Sequence, residues 1–442
     1  MENKKPKRVH SELDDHEKML SIEELPEKPG IGRRSFFEAL TAGGLAAVAI
    51  LLGDRLGFEQ AKGVFAQVTS GTAGSYIVFT DYGDGNKIKA LNGMTGQLDY
   101  SGTDAAAVIQ NAINALSTTG GIVILKEGTY NIATSLTWKN DSNIMIQGSG
   151  SDTTILNYTG PGGTSILDFD PGSYVGSKNR VILSDFQVRS DSVPANTIAV
   201  NLNNVVRASV KRIMLRAPNG SIQPAYGFYT HGQGNNSLIL EDCVSSDYDT
   251  GYEIFQDHVL LLRCAASFGR VGFNFRTAGA EIAGVDLIAY HQRADNGIGF
   301  RIDYSSYAGQ IVLISPYSEN PAGTCAPTDF SVNAGVGSVV LLNPQAIRTP
   351  PVVSLAGNYY YAVGKYFSGQ GKAAFSGDKV TTKFAFPHGL ATTPRIVSLS
   401  AESADAAGDL YWSADSKNVT VIFKAAPPVG KNNVRLAWKA EV

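Results

Sequence analysis

The sequence predicts an all-β protein: a parallel β-helix with an N-terminal capping helix, followed by a small antiparallel β-sandwich. Three observations predict it. First, short apolar runs recur from Val181 to Pro350, each ended by polar residues and glycine. Among them are Val181-Ile182-Leu183, Ile213-Met214-Leu215, Leu238-Ile239-Leu240, Val259-Leu260-Leu261-Leu262, Ile311-Val312-Leu313-Ile314 and Val339-Val340-Leu341-Leu342. Comparable points fall at Asp185, Arg212, Asp242, Arg263, Asp286, Ser315 and Asn343, with successive differences of 27, 30, 21, 23, 29 and 28 residues. An irregular period of this size marks a solenoid, because one coil cannot bury its own apolar face and must stack on the next. Second, the runs are rich in Val, Ile, Phe and Tyr and are broken before a helix could complete three turns. Third, charged residues are only 17% of the chain and glycines number 47 of 442, against roughly 25% and 7% in ordinary soluble proteins.

Weaker runs lie between the strong ones: Ile198-Ala199-Val200, Tyr226 to Tyr229, Tyr252 to Phe255, Phe273-Asn274-Phe275 and Phe300-Arg301-Ile302. Coils of a parallel stack sit about 4.8 Å apart, so like residues meet like. Cys243 and Cys264 occupy matching places in Leu240-Glu241-Asp242-Cys243 and Leu261-Leu262-Arg263-Cys264. They are expected as neighbours in an inward column. Three cysteines make no disulfide framework, and a reduced, buried pair is favoured over a single bridge.

Residues 1–66 are not part of the folded body. Residues 1–31 are charged and proline-containing. Arg33-Arg34-Ser35-Phe36-Phe37 then precedes a small and apolar run from Ala39 to Gly53, which resembles a twin-arginine export signal. Val64-Phe65-Ala66 offers a small-residue cleavage site; a retained anchor is the alternative, and it would be the only contact with a membrane. Either reading places the body outside the cytoplasm, as an extracellular or cell-surface protein. Residues 67–75 are a Ser/Thr/Gly linker.

The body opens at residue 76. Thr103-Asp104 precedes Ala105 to Leu116, where Val108, Ile109, Ala112, Ile113 and Leu116 keep helical spacing. Thr103 or Asp104 can accept from the first-turn amides. Gly120-Gly121 ends the helix, Ile122 to Leu125 is a buried strand, Gly128-Thr129-Tyr130 turns into a second strand, and Gly148-Ser149-Gly150 makes a corner. This order resembles the pectate-lyase-like superfamily over about residues 76–350. The resemblance implies a single-stranded right-handed parallel β-helix whose open end the helix closes. It specifies fold better than activity, since the superfamily holds lyases, hydrolases, epimerases and phage tailspikes. A polygalacturonase-like hydrolase would need paired aspartates, Gly-His-Gly and Arg-Ile-Lys. Here His231-Gly232-Gln233-Gly234 is a distant echo, and neither of the other elements follows.

Carrying the register of the cysteine pair sets Asp247 opposite Phe268 and Asp249 opposite Arg270. Aligning Cys264 with Leu287 brings His291 to Phe268 and Arg293 to Arg270, and aligning Asp286 with Ile314 brings Glu319 to His291. One flank then gathers Asp247, Asp249, Arg270, His291, Arg293 and Glu319 as candidate catalytic residues, with Tyr248, Tyr290 and Tyr317 as candidate substrate-binding residues. Two carboxylates can serve glycoside hydrolysis. Alternatively an arginine neutralises a uronate carboxylate while His291 or a tyrosine takes the adjacent proton. Asp247, Asp249 and Glu319 are also a candidate calcium set, since calcium takes several oxygen ligands. The plain alternative is a set of solvated corner side chains and ion pairs, worth little each.

Arg348-Thr349-Pro350-Pro351 breaks the pattern, and residues 351–365 are expected as a connector. From 366 to 442, Thr382 to Phe386, Arg395 to Leu399, Asp409 to Trp412, Val419 to Phe423 and Val434 to Trp438 alternate as strands of the β-sandwich. A net charge of −3 gives no reason to expect nucleic acid. The function expected is that of an exported lyase or glycoside hydrolase acting on acidic polysaccharide along the β-helix flank. The alternative is a non-catalytic, adhesin-like surface protein that holds glycans.

Overall fold

The computed structural model describes residues 74–442 except 139–142, 171–179, 191–195, 219–224, 232–236, 256–257, 277–280, 293–296, 304–308, 322–327, 336 and 358–359. The export-type segment, most of the linker, Arg293 and the Gly232-Gln233-Gly234 triplet therefore lie outside the described residues. Among the described residues no helix is long and apolar enough to cross a membrane.

The chain winds as a parallel β-helix. Strands Arg180–Ser190, Ala208–Arg216, Leu238–Glu241, Val259–Leu262, Glu281–Val285, Gln310–Ile314 and Ser338–Leu342 stack in parallel register. Each recurring point of the sequence is a bend between two legs of this twenty-stranded sheet. Asp185, Arg212, Asp242, Arg263, Asp286, Ser315 and Asn343 all have φ between 50° and 65°, the left-handed region. The amides of Asp242, Arg263, Asp286 and Ser315 each donate to the next coil, to Leu262, Val285, Ile314 and Leu342. The bend thus loses no ladder bond. Downstream of it run the short second-leg strands Val244–Ser246, Ala265–Ser267, Ile288–Tyr290 and Tyr317–Glu319. The weaker runs form the third face, a nine-stranded parallel sheet that includes Tyr226–His231, Thr250–Phe255, Val271–Arg276 and Ile298–Asp303.

Stacking fixes the core. Cys243 and Cys264 are free, fully buried and in matching positions, since Val244 pairs with Ala265. Phe228, Tyr252, Phe273, Phe300 and Phe330 form a buried aromatic column with successive centroids 5.0, 4.6, 5.1 and 5.3 Å apart. A second inward column is glycine: Gly227, Gly251, Gly272 and Gly299. A Cβ on Gly251 would stand 2.8 Å from the Gly272 carbonyl and 2.7 Å from the Ala266 Cβ. These glycines let the third face approach the second leg closely.

Helix α1, Ala105–Ala115, covers the N-terminal end. Asp104 accepts from the amides of Ala106 and Ala107 at 2.9 and 3.3 Å, and Val108, Ile109, Ala112 and Ile113 are buried. Tyr130 of the Gly-Thr-Tyr turn is buried and donates to the Val78 and Lys126 carbonyls. At the other end the expected connector is part of the stack. Val353–Ala356 pairs with Thr328–Asn333, and Tyr360–Val363 with Ser338–Leu342. The proline pair misled because it breaks the sequence pattern without ending the winding. Residues 368–441 form two three-stranded antiparallel sheets around one apolar core of Phe384, Phe386, Val397, Val419, Val421, Val434 and Leu436. Ser368–Gly377 is a strand that the alternation did not mark.

Candidate functional site

The second leg ends in another set of left-handed residues: Asp247, Phe268 and His291, at φ 67°, 59° and 48°. The amides of Asp247 and Phe268 donate to Ser267 and Tyr290, and that of His291 to Glu319. This second corner is where the sequence register gathered its candidates. The first two steps stand as drawn where they fall on described residues, which Arg293 does not. Arg270 holds Asp249 through two hydrogen bonds of 3.1 and 2.9 Å, and the Phe268 and His291 rings lie 5.9 Å apart, edge to face.

The third step is one residue out. Glu319 pairs with Tyr290, not His291, because Val285 aligns with Ile314 and the step is 29 residues rather than 28. Glu319 therefore stands in the outward column of Ser246, Ser267 and Tyr290. Two further expectations are corrected. Asp247 is 4% exposed, and its carboxylate accepts from the Ser246 hydroxyl at 2.7 Å; it holds the corner. Tyr248 is 1% exposed and its hydroxyl is buried without a hydrogen-bond partner, so it cannot face a ligand. The left-handed residue before it breaks the period-two alternation and turns its side chain inward. Among the described residues no group of three or more His, Cys, Asp or Glu converges as a metal site, so Asp247, Asp249 and Glu319 do not form the calcium set considered.

The corner presents an aromatic platform. Phe268 is 40% exposed; Tyr290 meets it edge to face at 5.6 Å and stacks on His291 at 4.1 Å. Tyr317 and the exposed Ile288 are register partners beside it. Burial first, and then the charge of Glu319, raises the Tyr317 pKa above the ordinary tyrosine value.

Sequence reasoning missed a second cluster, on the outer face of the nine-stranded sheet. Tyr229, Glu253 and Asn274 are register partners, as are His231 and Phe255. Glu253 accepts from Asn274 at 2.5 Å and lies 3.4 Å from the Arg276 guanidinium and 3.7 Å from His231 Nε2. Burial, followed by the negative charge of Glu253, raises the pKa of both Tyr226 and Tyr229. Asp249 and Arg270 also act on Tyr226, which joins this cluster electrostatically to the corner. The signal was present: the 21-residue step that carries Asp249 to Arg270 also carries Glu253 to Asn274.

A family model described as rhamnogalacturonase A/epimerase, pectate lyase-like, matches residues 96–298, from before α1 into the third-face strand at Ile298. No curated protein matches the sequence. Solved structures similar to it include a tailspike of Acinetobacter baumannii bacteriophage Fri1, a capsular polysaccharide depolymerase, at 9% identity and TM-score 0.32, covering 76% of this chain and 81% of that one. The tailspike of Acinetobacter phage vB_ApiP_P1 matches at 11% identity and TM-score 0.32, covering 85% and 96%. The A-module of Azotobacter vinelandii mannuronan C-5 epimerase matches at 13% identity and TM-score 0.21, covering 59% and 95%.

Proposed function

We propose that this is an exported polysaccharide-active protein that takes an acidic glycan along the second corner of its β-helix, as a lyase or glycoside hydrolase. The observation that carries the reading is the platform of exposed Phe268 with half-buried Tyr290 and His291, next to the Asp249–Arg270 pair. An aromatic face covers the apolar C–H surface of a pyranose, and the Arg270 guanidinium, two of whose donors already hold Asp249, adds polar contacts beside it. The family match over these coils and the export-type N-terminal segment support it.

A second reading is glycan binding without chemistry at this corner. It is favoured by one observation: Asp249 is engaged by Arg270, and Asp247 is buried, so neither stands free as an acid or base. The test is to incubate the purified full-length chain with uronate and neutral polysaccharides. Binding, ultraviolet absorbance of unsaturated product and new reducing ends are followed together. Phe268→Ala and Arg270→Ala are expected to weaken binding of uronate polymers by about tenfold each, roughly 1.4 kcal/mol. Unchanged affinity in both variants would remove the corner from the function.

A further inference from the structure

We propose that the far tip of the C-terminal sheets docks on an anionic lipid bilayer, with Val380 and Val429 in the interface and Lys379, Lys383, Lys424 and Lys431 on the headgroup phosphates. The inference is independent of the glycan reading, and it adds a membrane contact to the retained anchor considered from the sequence.

The tip is two turns held side by side. Strand Ser368–Gly377 begins next to Phe367 in the spiral's core and ends where Gly377 pairs with Gly430. Ten residues of strand span roughly 30 Å, so this end of the module lies well away from Phe367. The Lys379 amide donates to the Pro427 carbonyl at 2.9 Å, and the Phe423 amide to the Thr382 carbonyl at 2.8 Å. These bonds join residues 378–382 to residues 424–430.

Each turn is braced, and each presents a valine. Asp378 accepts from the amides of Val380 and Thr381 at 2.8 and 2.6 Å and from the Thr381 hydroxyl at 2.7 Å. The Asn433 side chain donates to the Pro428 carbonyl at 2.9 Å and accepts from the Gly377 amide at 2.9 Å. Val380 is 80% exposed and Val429 70%. Tyr411, 60% exposed, stands in the strand row behind them, in line with Ile422 and Lys383. Turns are ordinarily built from Gly, Pro, Asn, Asp and Ser. The opposite end of the same sheet follows that habit and turns through Asp415-Ser416-Lys417. Branched aliphatic side chains fixed in water on two adjoining turns are therefore not a requirement of the fold, and exposed apolar groups gathered in one place mark a contact surface.

Charge selects the partner. Residues 366–442 hold nine Lys and Arg against six Asp and Glu, whereas residues 74–365 hold 18 against 23. A negative surface attracts the module and repels the spiral, which orients the chain tip first. At the tip Lys379, Lys383 and Lys431 are exposed, and Lys424, 80% exposed, pairs with Asp409 at 3.5 Å. The other acids there are Asp378, engaged by its own turn, and Asp405, which accepts from Asn433 at 2.8 Å. A neutral apolar groove would use the valines alone, and a soluble polyanion the lysines alone. The interface of an anionic bilayer uses both, because apolar burial and attraction to phosphate add there.

The experiment mixes the full-length chain with vesicles of equal phosphatidylglycerol and phosphatidylcholine, or of phosphatidylcholine alone. It follows co-sedimentation together with hydrogen exchange of residues 376–383 and 424–432. Exchange reads the tip itself, so attachment through residues 39–53 is told apart from docking. Slower exchange in both turns is expected with the anionic vesicles and not with the neutral ones. The protection is expected to disappear at about 1 M salt, where the Debye length is about 3 Å. Val380→Ser combined with Val429→Ser is expected to weaken docking at least about tenfold, and Lys379→Gln and Lys431→Gln about fivefold each. Should the valine variant lower the thermal midpoint, the two lysine variants make the same test. Turn exchange that anionic vesicles leave unchanged overturns the proposal, whether or not the chain sediments, and so does equal protection by neutral vesicles. Protection by a soluble polyuronate but not by vesicles assigns the tip to glycan instead. Protection that grows with protein concentration alone assigns it to a second copy of the chain, and either result overturns the bilayer.

Discussion

Tyr248 shows how much hangs on one backbone angle. Asp247 adopts a left-handed conformation, so the next side chain turns into the core instead of toward a ligand. Its hydroxyl reaches no partner there, and an unsatisfied buried hydroxyl costs about 1–3 kcal/mol. Tyr248→Phe is therefore expected to raise stability by about 1 kcal/mol, measured by denaturant unfolding; a loss would show that the hydroxyl is satisfied. Nothing in Asp247-Tyr248-Asp249 announces this turn, because Asp, Phe and His share the corner across three coils. The first-corner positions were legible as a recurring mark. The second corner's effect on side-chain direction was not.

At the scale of the strand and its corner, the first-corner column doubles as an ion-pair ladder. Arg212 holds Asp185, Arg263 holds Asp242 and Glu241, and Lys211 holds Glu241. The hydrogen bond from Lys211, and then that from Arg263, keeps the Glu241 carboxyl below its ordinary range; Arg263 does the same for Asp242. An unfolded glutamate titrates near 4.3. The stabilisation is therefore present above about that pH and is lost as pH falls through the lower folded-state value. Glu241→Gln is expected to lower the thermal midpoint at pH 7, with the difference from wild type vanishing in acid. Register was legible at this scale wherever two like residues marked it. The cysteine pair gave a step that carried Asp249 to Arg270 correctly. From Asp286 onward no such pair exists, and the step slipped by one, which moved Glu319 from Tyr290 to His291.

For the molecule as a whole, the spiral and the C-terminal sheets are not independent. Phe367, at the start of the C-terminal part, is fully buried in the spiral's core and meets Phe330 edge to face at 6.3 Å. Arg395 lies over the Tyr360 ring at 4.7 Å, and the Val442 amide donates to the Phe367 carbonyl. Phe367→Ala is expected to cost about 3–5 kcal/mol and to speed hydrogen exchange in Val353–Ala356 and Tyr360–Val363 as well as in the C-terminal strands. Faster exchange in the C-terminal strands alone would show two separate units. The sequence divided the chain near the proline pair because composition changes there, while the contacts that tie the parts together join residues too far apart for a local pattern to reveal.

The glycine column carries one more consequence. It runs through Gly227, Gly251, Gly272 and Gly299 and arrives at Asp329, a fully buried carboxylate clamped by Arg348, Ser318 and the Val352 amide. A duplicated coil spliced in among the glycines would find the same narrow seat above and below it. One spliced in after Asp329 would meet a charge already committed to its neighbours. The spiral can therefore lengthen by whole turns in its middle, and its far end is fixed from within.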